Sequence, residues 1–561
     1  MITDQLASAV RAALDAAHDA GELTLGSAGI EVSFEPPRSK EHGDYASNVA
    51  LTLARRAGLP PLEVAERIAR RMDLMGGVID RVDVAGPGFL NFHLKPGWLH
   101  DKLVQIEAEG EGYGRSSGRA GERTLIEFVS ANPTGPISVV NGRAAALGDS
   151  LANLLAACGA EVDREFYVND ALNSTQLDLM GQSLAARYLQ QLGEPAEMPD
   201  DGYHGEYVVE IAKAIVQEAG RRYADLPESD RARTFRDLAA ARMVEQQRGD
   251  LLAFGVVYDA WYYESALYRD GLVRQAIEEM RDRGQAYEKD GALWLKSMEL
   301  AGDDQDRVLV RSNERETYVA ADAAYHAGKF ARGYNRLINI WGADHHGYVA
   351  RLKAGIAALG HDADRCEIIL TQMVMLVRDG EPVRGSKRAG DIIPLSDLVE
   401  EIGADAARYY FLLNSYDTTS TFDLELAKRQ SNENPVYYAQ YAHARCRSVE
   451  ARARELGVAP PPASEVRRDL LTHPKELDLL RKLADFPDEV ALAAEMLAPH
   501  RLTAFMREIG QALHQFYEEC PALKEGVPAE LRDARLSLFS ATRIVVRNLL
   551  ALLGVSAPDR M

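Results

Sequence analysis

Glu127-Phe128-Val129-Ser130-Ala131-Asn132-Pro133-Thr134-Gly135-Pro136-Ile137-Ser138-Val139-Val140-Asn141-Gly142-Arg143 is the stretch on which the reading of this chain turns. Its first residues close an apolar run, Thr124-Leu125-Ile126, with strand character, and its last residues open a helical pattern over 142–157 that stops before Gly159. A second strand, Arg164-Glu165-Phe166-Tyr167-Val168, follows at once. Strand, helix and strand at that spacing make a βαβ unit of a parallel sheet. A Pro/Gly turn between the carboxyl end of such a strand and a helix N-terminus is a place where phosphate binds, because unpaired backbone N–H groups and the positive end of the helix dipole face outward there.

Outward from this unit the pattern divides the chain. A largely helical insertion over about 177–290, with a loop at 193–205, interrupts a doubly wound domain assigned to 116–395. Sheet-like runs return at Ala292-Leu293-Trp294-Leu295, Val308-Leu309-Val310 and Leu337-Ile338-Asn339-Ile340-Trp341. Upstream, 1–115 reads as a small α+β domain. Its helices cover 6–17 and 61–72, a strand pair (81–84, 90–94) is joined through Gly86-Pro87-Gly88, and 40–45 is a polar loop before a helix starting near Ala46. A connecting segment, 396–430, leads to a helical bundle over 431–561, broken by Ala459-Pro460-Pro461-Pro462. The fold class expected is therefore α/β multidomain: a Rossmann-like domain with a helical insertion, a small α+β domain before it and a helical bundle after it.

At 561 residues the chain exceeds one hydrophobic core, and 46% hydrophobic with 27% charged residues suits a soluble globular protein. No run of eighteen apolar residues and no basic, apolar, small-residue leader pattern is present, so a cytoplasmic location is the default expectation, with no membrane partner. Cys158, Cys366, Cys446 and Cys520 are scattered singly, without Cys-x-x-Cys or a short Cys/His spacing, so they read as reduced and structural, with no protein-ligated metal. A formal net charge of −21 excludes wholesale coating of nucleic acid, whereas the arginine-rich C-terminal part is roughly charge-balanced and leaves room for a local polyanion groove.

The Glu127–Pro136 segment resembles the opening of the catalytic domain of bacterial arginyl-tRNA synthetases. Other segments agree in order along the chain: Gly86-Pro87-Gly88-Phe89-Leu90-Asn91-Phe92, 317–326, Trp341-Gly342-Ala343-Asp344-His345-His346-Gly347-Tyr348, Ser386-Lys387-Arg388-Ala389-Gly390, Asn432-Glu433-Asn434-Pro435-Val436-Tyr437-Tyr438 and the tail Gly554–Met561. The resemblance implies ATP-dependent ligation of L-arginine to its tRNA through arginyl-adenylate, with ATP as substrate carrying Mg²⁺, and a monomer with arginine tRNA as macromolecular partner. It also implies that the N-terminal domain grips the tRNA elbow and the helical C-terminal domain reads the anticodon.

By that resemblance arginine is held by Glu127, Asn132, Tyr318, Asp322 and Asp344. A guanidinium needs carboxylates and planar acceptors, and Tyr318 and Asp322, four apart, share one face of a helical turn. ATP falls to Ser138, Val140, Asn141, Gly142, His345, Ser386 and Lys387, and His346 is not assigned. Lys387 takes the second lysine position of a Lys-Met-Ser-Lys-type loop, Arg384 replaces the first and Gly385 the methionine. Lys387, Arg143, Ser138 and Asn141, with backbone N–H groups near Gly142, are the catalytic expectation, acting by positioning and charge stabilisation. Tyr437, Tyr441, Arg445 and Met561 are assigned to tRNA, the aromatic rings for stacking on unpaired bases.

One turn departs from the family. Where it carries His-x-Gly-His, this chain has Ser138, Val140 and Asn141, and the nearby Asn169-Asp170-Ala171-Leu172-Asn173-Ser174 departs from Asn-Asp-Ala-Gly-Asn-Gln. Each lost transition-state donor costs roughly 10²- to 10³-fold, and Val140 places two methyl groups in space expected for the purine, an overpacking of about 1–3 kcal/mol. The alternative expectation is accordingly a paralogue with impaired ATP use that binds arginine or tRNA, or a second copy that resists an ATP-competitive inhibitor.

Overall fold

The computed structural model describes residues 2–35, 37, 39–171, 174–383, 393–459 and 461–561. The N-terminal domain packs α1 (Ile2–Asp19), α2 (Val49–Ala57) and α3 (Pro61–Arg70) on an antiparallel sheet of β1 (Tyr45–Ser47), β2 (Ile79–Ala85) and β3 (Phe89–Leu94), in the order β1-β3-β2. The helix expected from Ala46 begins later, because Tyr45–Ser47 pairs with Leu90–Phe92 as a third strand. The following helix, α4 (Pro96–Glu109), does not side with this domain. Its apolar stripe, Leu99, Leu103 and Ile106, enters the large core shared with the C-terminal helices, and His100 Nε2 lies 2.9 Å from the Leu471 carbonyl. An amphipathic stripe identifies a buried face but not the surface that covers it.

The central sheet is built from β4 (Arg123–Phe128), β5 (Glu161–Val168), β6 (Ala260–Tyr263), β10 (Arg336–Gly342) and β11 (Cys366–Thr371), all parallel, in the order β11-β10-β4-β5-β6. Read in chain order this is 3-2-1-4-5, and the order reverses between β4 and β10. The helix after β4, α5 (Val139–Ala157), runs through the core and is buried on most of its surface. Three helices, α6 (Thr175–Gln191), α7 (Glu206–Ala219) and α8 (Glu228–Ala253), separate β5 from β6. The expected insertion is thus two pieces, since Ala260-Trp261-Tyr262-Tyr263 returns as the edge strand of the main sheet; four residues are too short to show a period.

After α9 (Glu264–Arg269) and α10 (Leu272–Asp282), β7 (Ala286–Lys289), β8 (Ala292–Leu295) and β9 (Arg307–Val310), with α11 (Ser297–Ala301), form a separate antiparallel sheet. The runs at 292–295 and 308–310 therefore do not belong to the doubly wound sheet. Helices α12 (Tyr318–Ala331) and α13 (Val349–Ala358) flank β10 in sequence, and β12 (Val374–Arg378) with β13 (Glu381–Pro382) follow β11. The connecting segment holds α14 (Leu395–Ile402), α15 (Ala404–Phe411) and α16 (Leu424–Lys428), and also β14 (Ser420–Asp423), which pairs parallel with β12. Helices α17 (Pro435–Glu455), α18 (Pro474–Glu495), α19 (His500–Glu519) and α20 (Ala529–Leu552) complete the chain as a bundle.

Arg408 on α15 ties these parts together. Buried, it donates to Asp149 of α5, to the Phe254 and Gly255 carbonyls at the end of the insertion, and to the Leu553 carbonyl that closes α20. Gly554 lies so close to its guanidinium that a Cβ there would clash. Removing one partner of a buried charge pair is costly because it leaves the other uncompensated. Arg408→Ala is expected to lower the free energy of unfolding by about 3 kcal/mol or more in urea titrations, and a loss below about 1 kcal/mol, the scale of an exposed pair, would contradict this placement.

Candidate active site

The site lies at the carboxyl edge of the sheet, where the strand order reverses. Beyond β4 the backbone turns through two left-handed residues, Val129 (φ 71°) and Ser130 (φ 45°). That conformation is strained for a β-branched residue and marks a turn held by its surroundings. It brings Ser130 Oγ to 3.1 Å from Glu127 Oε1, where it donates, while accepting the Tyr167 N–H at 3.2 Å.

Helix α12 lies over this edge. Tyr318, Asp322, Tyr325, His326 and Lys329 recur at spacings of three and four and share one face. Lys329 is fully buried, and its ammonium spends its three protons inside the protein: on Glu127 Oε2 (2.6 Å), on Asn339 Oδ1 (3.3 Å) and on His326 Nε2 (3.4 Å). Asn339 Nδ2 also donates to His326 Nε2 (2.7 Å), which places the imidazole proton on Nδ1, donating to the Asp322 carbonyl at 2.8 Å. Burial, followed by the Lys329 charge, holds the His326 pKa well below its ordinary value, so this imidazole is neutral.

Above this layer is a cavity of about 730 Å³. Glu127, Asn132, Tyr318, Asp322 and Asp344 all line it, so the structure brings the five expected arginine contacts to one space. Asn132 accepts from Asn169 Nδ2 (2.9 Å) and donates to Gln176 Oε1 (2.7 Å). Tyr318 is 58% exposed at the rim. His345, expected at ATP, lines this cavity as well; its Nε2 is 3.6 Å from Asp344 Oδ2.

Sequence reasoning missed Glu264. It is the first residue after the edge strand β6, lines the same cavity, is buried, and has an Oε1 with no hydrogen-bond partner. Asp170, in the segment noted for its departure, accepts from the Ser265 N–H (2.8 Å) and hydroxyl (2.6 Å), which holds the start of α9 in place. The signal that finds Glu264 is a carboxylate directly behind an aromatic strand, visible only once that strand is known.

Burial raises both wall carboxyls. Asp322 is pushed up to about 6; the Tyr348 hydroxyl donating to Oδ2 at 2.5 Å opposes the rise, and the Glu127 charge adds to it. Glu264 is pushed up to about 7, with Asp322 and then Asp170 adding to burial.

A larger cavity of about 1030 Å³ adjoins the first, and Ala131, Asn132, Val140 and Asn141 line both. The 138–141 turn is shaped by helix capping. Ser138 donates its hydroxyl to Asn141 Oδ1 (2.6 Å), and the Ser138 N–H reaches the same oxygen at 3.2 Å. The Asn141 N–H returns to Ser138 Oγ at 3.3 Å. Val140 is 44% exposed and lines both cavities.

Two expectations need correction. Gly142 lines neither cavity: its N–H closes the first helical bond to Ser138 O, and a Cβ there would stand 2.7 Å from Leu395 Cδ1, so glycine serves the packing of α5 on α14. Arg143 points the other way. Its buried guanidinium donates to the carbonyls of Gln372 (2.8 Å), Thr418 (3.0 Å) and Ser415 (2.8 Å), and so it joins loops without facing a phosphate.

Ser386 and Lys387 lie outside the described residues. The ends of their loop are nevertheless on this cavity. Val383, whose N–H donates to Leu376 O (2.9 Å), and Ile393, whose carbonyl accepts the Val139 N–H (2.9 Å), both line it, and the Leu395 N–H donates to Ile137 O at 2.7 Å. No group of three His, Cys, Asp or Glu that could hold a metal ion occurs among the described residues.

On the bundle, the Tyr437 and Tyr441 rings stack at 5.8 Å, and the Arg445 guanidinium lies between Tyr441 (4.6 Å) and Tyr517 (4.8 Å). Met561 is exposed at the end of a tail pinned to α17, with Asp559 accepting two bonds from Arg447 at 2.9 Å. Tyr438 packs against Gly510.

A doubly wound sheet interrupted by an insertion, paired cavities at its switch point and a helical bundle behind it define a class I aminoacyl-tRNA synthetase. A model of the "tRNA synthetases class I (R), catalytic domain" matches residues 103–445, one of the "Arginyl tRNA synthetase N terminal domain" residues 4–94, and one of the "DALR anticodon binding domain" residues 439–561. The chain belongs to the arginyl-tRNA synthetase family. It is similar to proteins named arginine–tRNA ligase from Desulforamulus reducens (46% identical, covering 100% of this chain and 99% of that one) and Moorella thermoacetica (48%, covering 99% and 98%). The solved Thermus thermophilus arginyl-tRNA synthetase shares the fold over the full length of both chains, with a TM-score of 0.77 at 21% identity.

A cation binds best to the ionised forms of Asp322 and Glu264, so affinity is highest above both pKa values and falls as pH drops through about 7 and then about 6. The KM for arginine is expected to rise about tenfold between pH 8 and pH 6 in initial-rate assays, and Glu264→Gln to raise it about tenfold or more at pH 8 while flattening the upper part of the profile. A pH-independent KM would contradict the assignment.

Proposed function

We infer that the chain ligates L-arginine to its tRNA in two steps at these adjoining cavities. An oxygen of the arginine carboxylate attacks the α-phosphorus of ATP, forming arginyl-adenylate as the bond to pyrophosphate breaks. A 3′-terminal ribose hydroxyl of tRNA then attacks the acyl carbon and AMP departs with its phosphate. The observation that carries this reading is the smaller cavity. Its wall carboxylates, half-buried Asp322 and buried Glu264, line one space, and among the described residues neither is ion-paired with a protein cation, Lys329 being held by Glu127. A guanidinium answers that deficit, and an uncharged side chain leaves it unpaired.

The larger cavity takes ATP, with Mg²⁺ carried on the phosphates as part of the substrate. Ser386 and Lys387, which fall in sequence between the cavity-lining Val383 and Ile393, are assigned to its phosphates, and Ser138 and Asn141 contribute the capped start of α5. The N-terminal domain engages the tRNA at its elbow and the bundle at its anticodon. In the first, a cavity of about 470 Å³ beside the exposed ring of Phe89 suits an unpaired base, and in the second the rings around Arg445 do. The protein acts as a cytoplasmic monomer.

The full-length similarity to proteins named arginine–tRNA ligase is the reason to favour a working ligase over a paralogue with impaired ATP use. Purified protein is expected to charge arginine tRNA, with a turnover within about tenfold of that of the Ser138→His, Val140→Gly, Asn141→His variant. Charging undetectable in the natural chain but present in the variant would overturn this reading in favour of the impaired paralogue.

A further inference from the structure

The larger cavity has two facing walls with different chemistry. On the sheet side, the hydroxyl proton of Ser138 and the N–H of Asn141 are committed to capping α5, which leaves the neutral Nδ2 amide of Asn141 as the side-chain donor of that turn. Of the other described residues lining the cavity outside the insertion, Asn132, Thr134 and Thr419 are polar and uncharged and the rest are apolar. The opposite wall is made by the insertion, through residues 202–205 and Tyr207. Among the described residues lining the cavity, His204 is the one side chain able to carry a positive charge.

His204 is carried on anchored backbone. One residue before it, the Tyr203 N–H donates to Ser183 Oγ of α6 at 2.9 Å. Three residues after it, the Tyr207 hydroxyl donates to the Thr134 carbonyl at 2.8 Å, which ties the insertion directly to the turn on the far side of the cavity. Gln247 of α8 adds a second tie, donating to the carbonyls of Asn132 (3.0 Å) and Gly135 (2.9 Å). The imidazole itself is exposed and accessible to a ligand in the cavity.

We propose that His204 is a nucleotide-contacting residue, an imidazole donor to the phosphates of ATP supplied by the insertion to a cavity whose strand-to-helix turn offers only neutral, mostly committed donors. This rests on the reading of that cavity as the ATP site. The imidazole forms no covalent bond and keeps its proton; it donates a hydrogen bond to phosphate oxygen as charge develops on the departing pyrophosphate.

The test measures kcat/KM for ATP in tRNA charging, with the full-length chain, for H204A in two backgrounds: the natural turn, and the turn changed by Ser138→His, Val140→Gly and Asn141→His. In the natural background H204A is expected to lower kcat/KM for ATP about tenfold or more, with the KM for arginine within about threefold and the melting curve unchanged. In the changed background the loss is expected to be at least about threefold smaller, because donors that serve one phosphate charge substitute for each other. A loss below about tenfold in the natural background, or an equal loss in both, overturns the proposal; an equal loss marks a role in holding the loop. If the natural chain charges no tRNA at all, it is the ligase reading that has failed, and if it charges normally while H204A is silent, only this inference has.

Discussion

The ion pair between Lys329 and Glu127 is the interaction on which the site depends. Glu127, Asn339 and Glu165 stand in register across three adjacent strands, an unusually polar row to bury on the face of a sheet. Helix α12 covers it with matching chemistry: Lys329 on Glu127 and Asn339, and Tyr325 and Arg332 on Glu165. A buried charge without its partner costs several kcal/mol, so this row admits α12 in one register only. That register is what sets Tyr318 and Asp322 over the switch point of the sheet. The same pairing gives Glu127 a cation of its own at the smaller cavity, whereas among the described residues Asp322 and Glu264 are ion-paired with none.

Two arginines play a corresponding part around α5. Arg143 and Arg408 both have buried guanidinium groups that donate mainly to backbone carbonyls, the first gathering the loops at 372, 415 and 418, the second joining α5, the insertion and the end of α20. Five donors in a rigid plane suit such junctions, where several chain segments end with unsatisfied acceptors. The consequence for function is a division of labour. Arg143 and Arg408 are architectural, and among the described residues lining the larger cavity the one side chain able to carry a positive charge, His204, stands on the insertion.

How much of this the sequence disclosed follows from which signals are local. The β4-turn-α5 unit was legible because strand, Pro/Gly turn and helix are contiguous, and the same holds for the helical bundle. β6 was not, since Ala260–Tyr263 is four residues of aromatic character with no period, and β1 and β14 failed for the same reason. Glu127, Asn132, Tyr318, Asp322 and Asp344 were reached through motif resemblance, and they share one cavity. Glu264 escaped because its position depends on β6 joining the sheet, and Arg143 was misread because a helix-start arginine looks the same in sequence whether it faces a ligand or a set of carbonyls. Lys329 gave no sign of burial, since only the strands beneath it reveal the carboxylate that it meets.

Under the proposed function, carboxylates without an ion-pair partner among the described residues make recognition of a cationic side chain the condition for chemistry in the adjoining cavity. The most direct measurement is the charging of arginine tRNA by the purified full-length chain with arginine, set against citrulline, which keeps the shape of the side chain and removes its charge. The account predicts aminoacyl-tRNA from arginine and none detectable from citrulline. Comparable charging with both, or arginine bound without any charging, would contradict it.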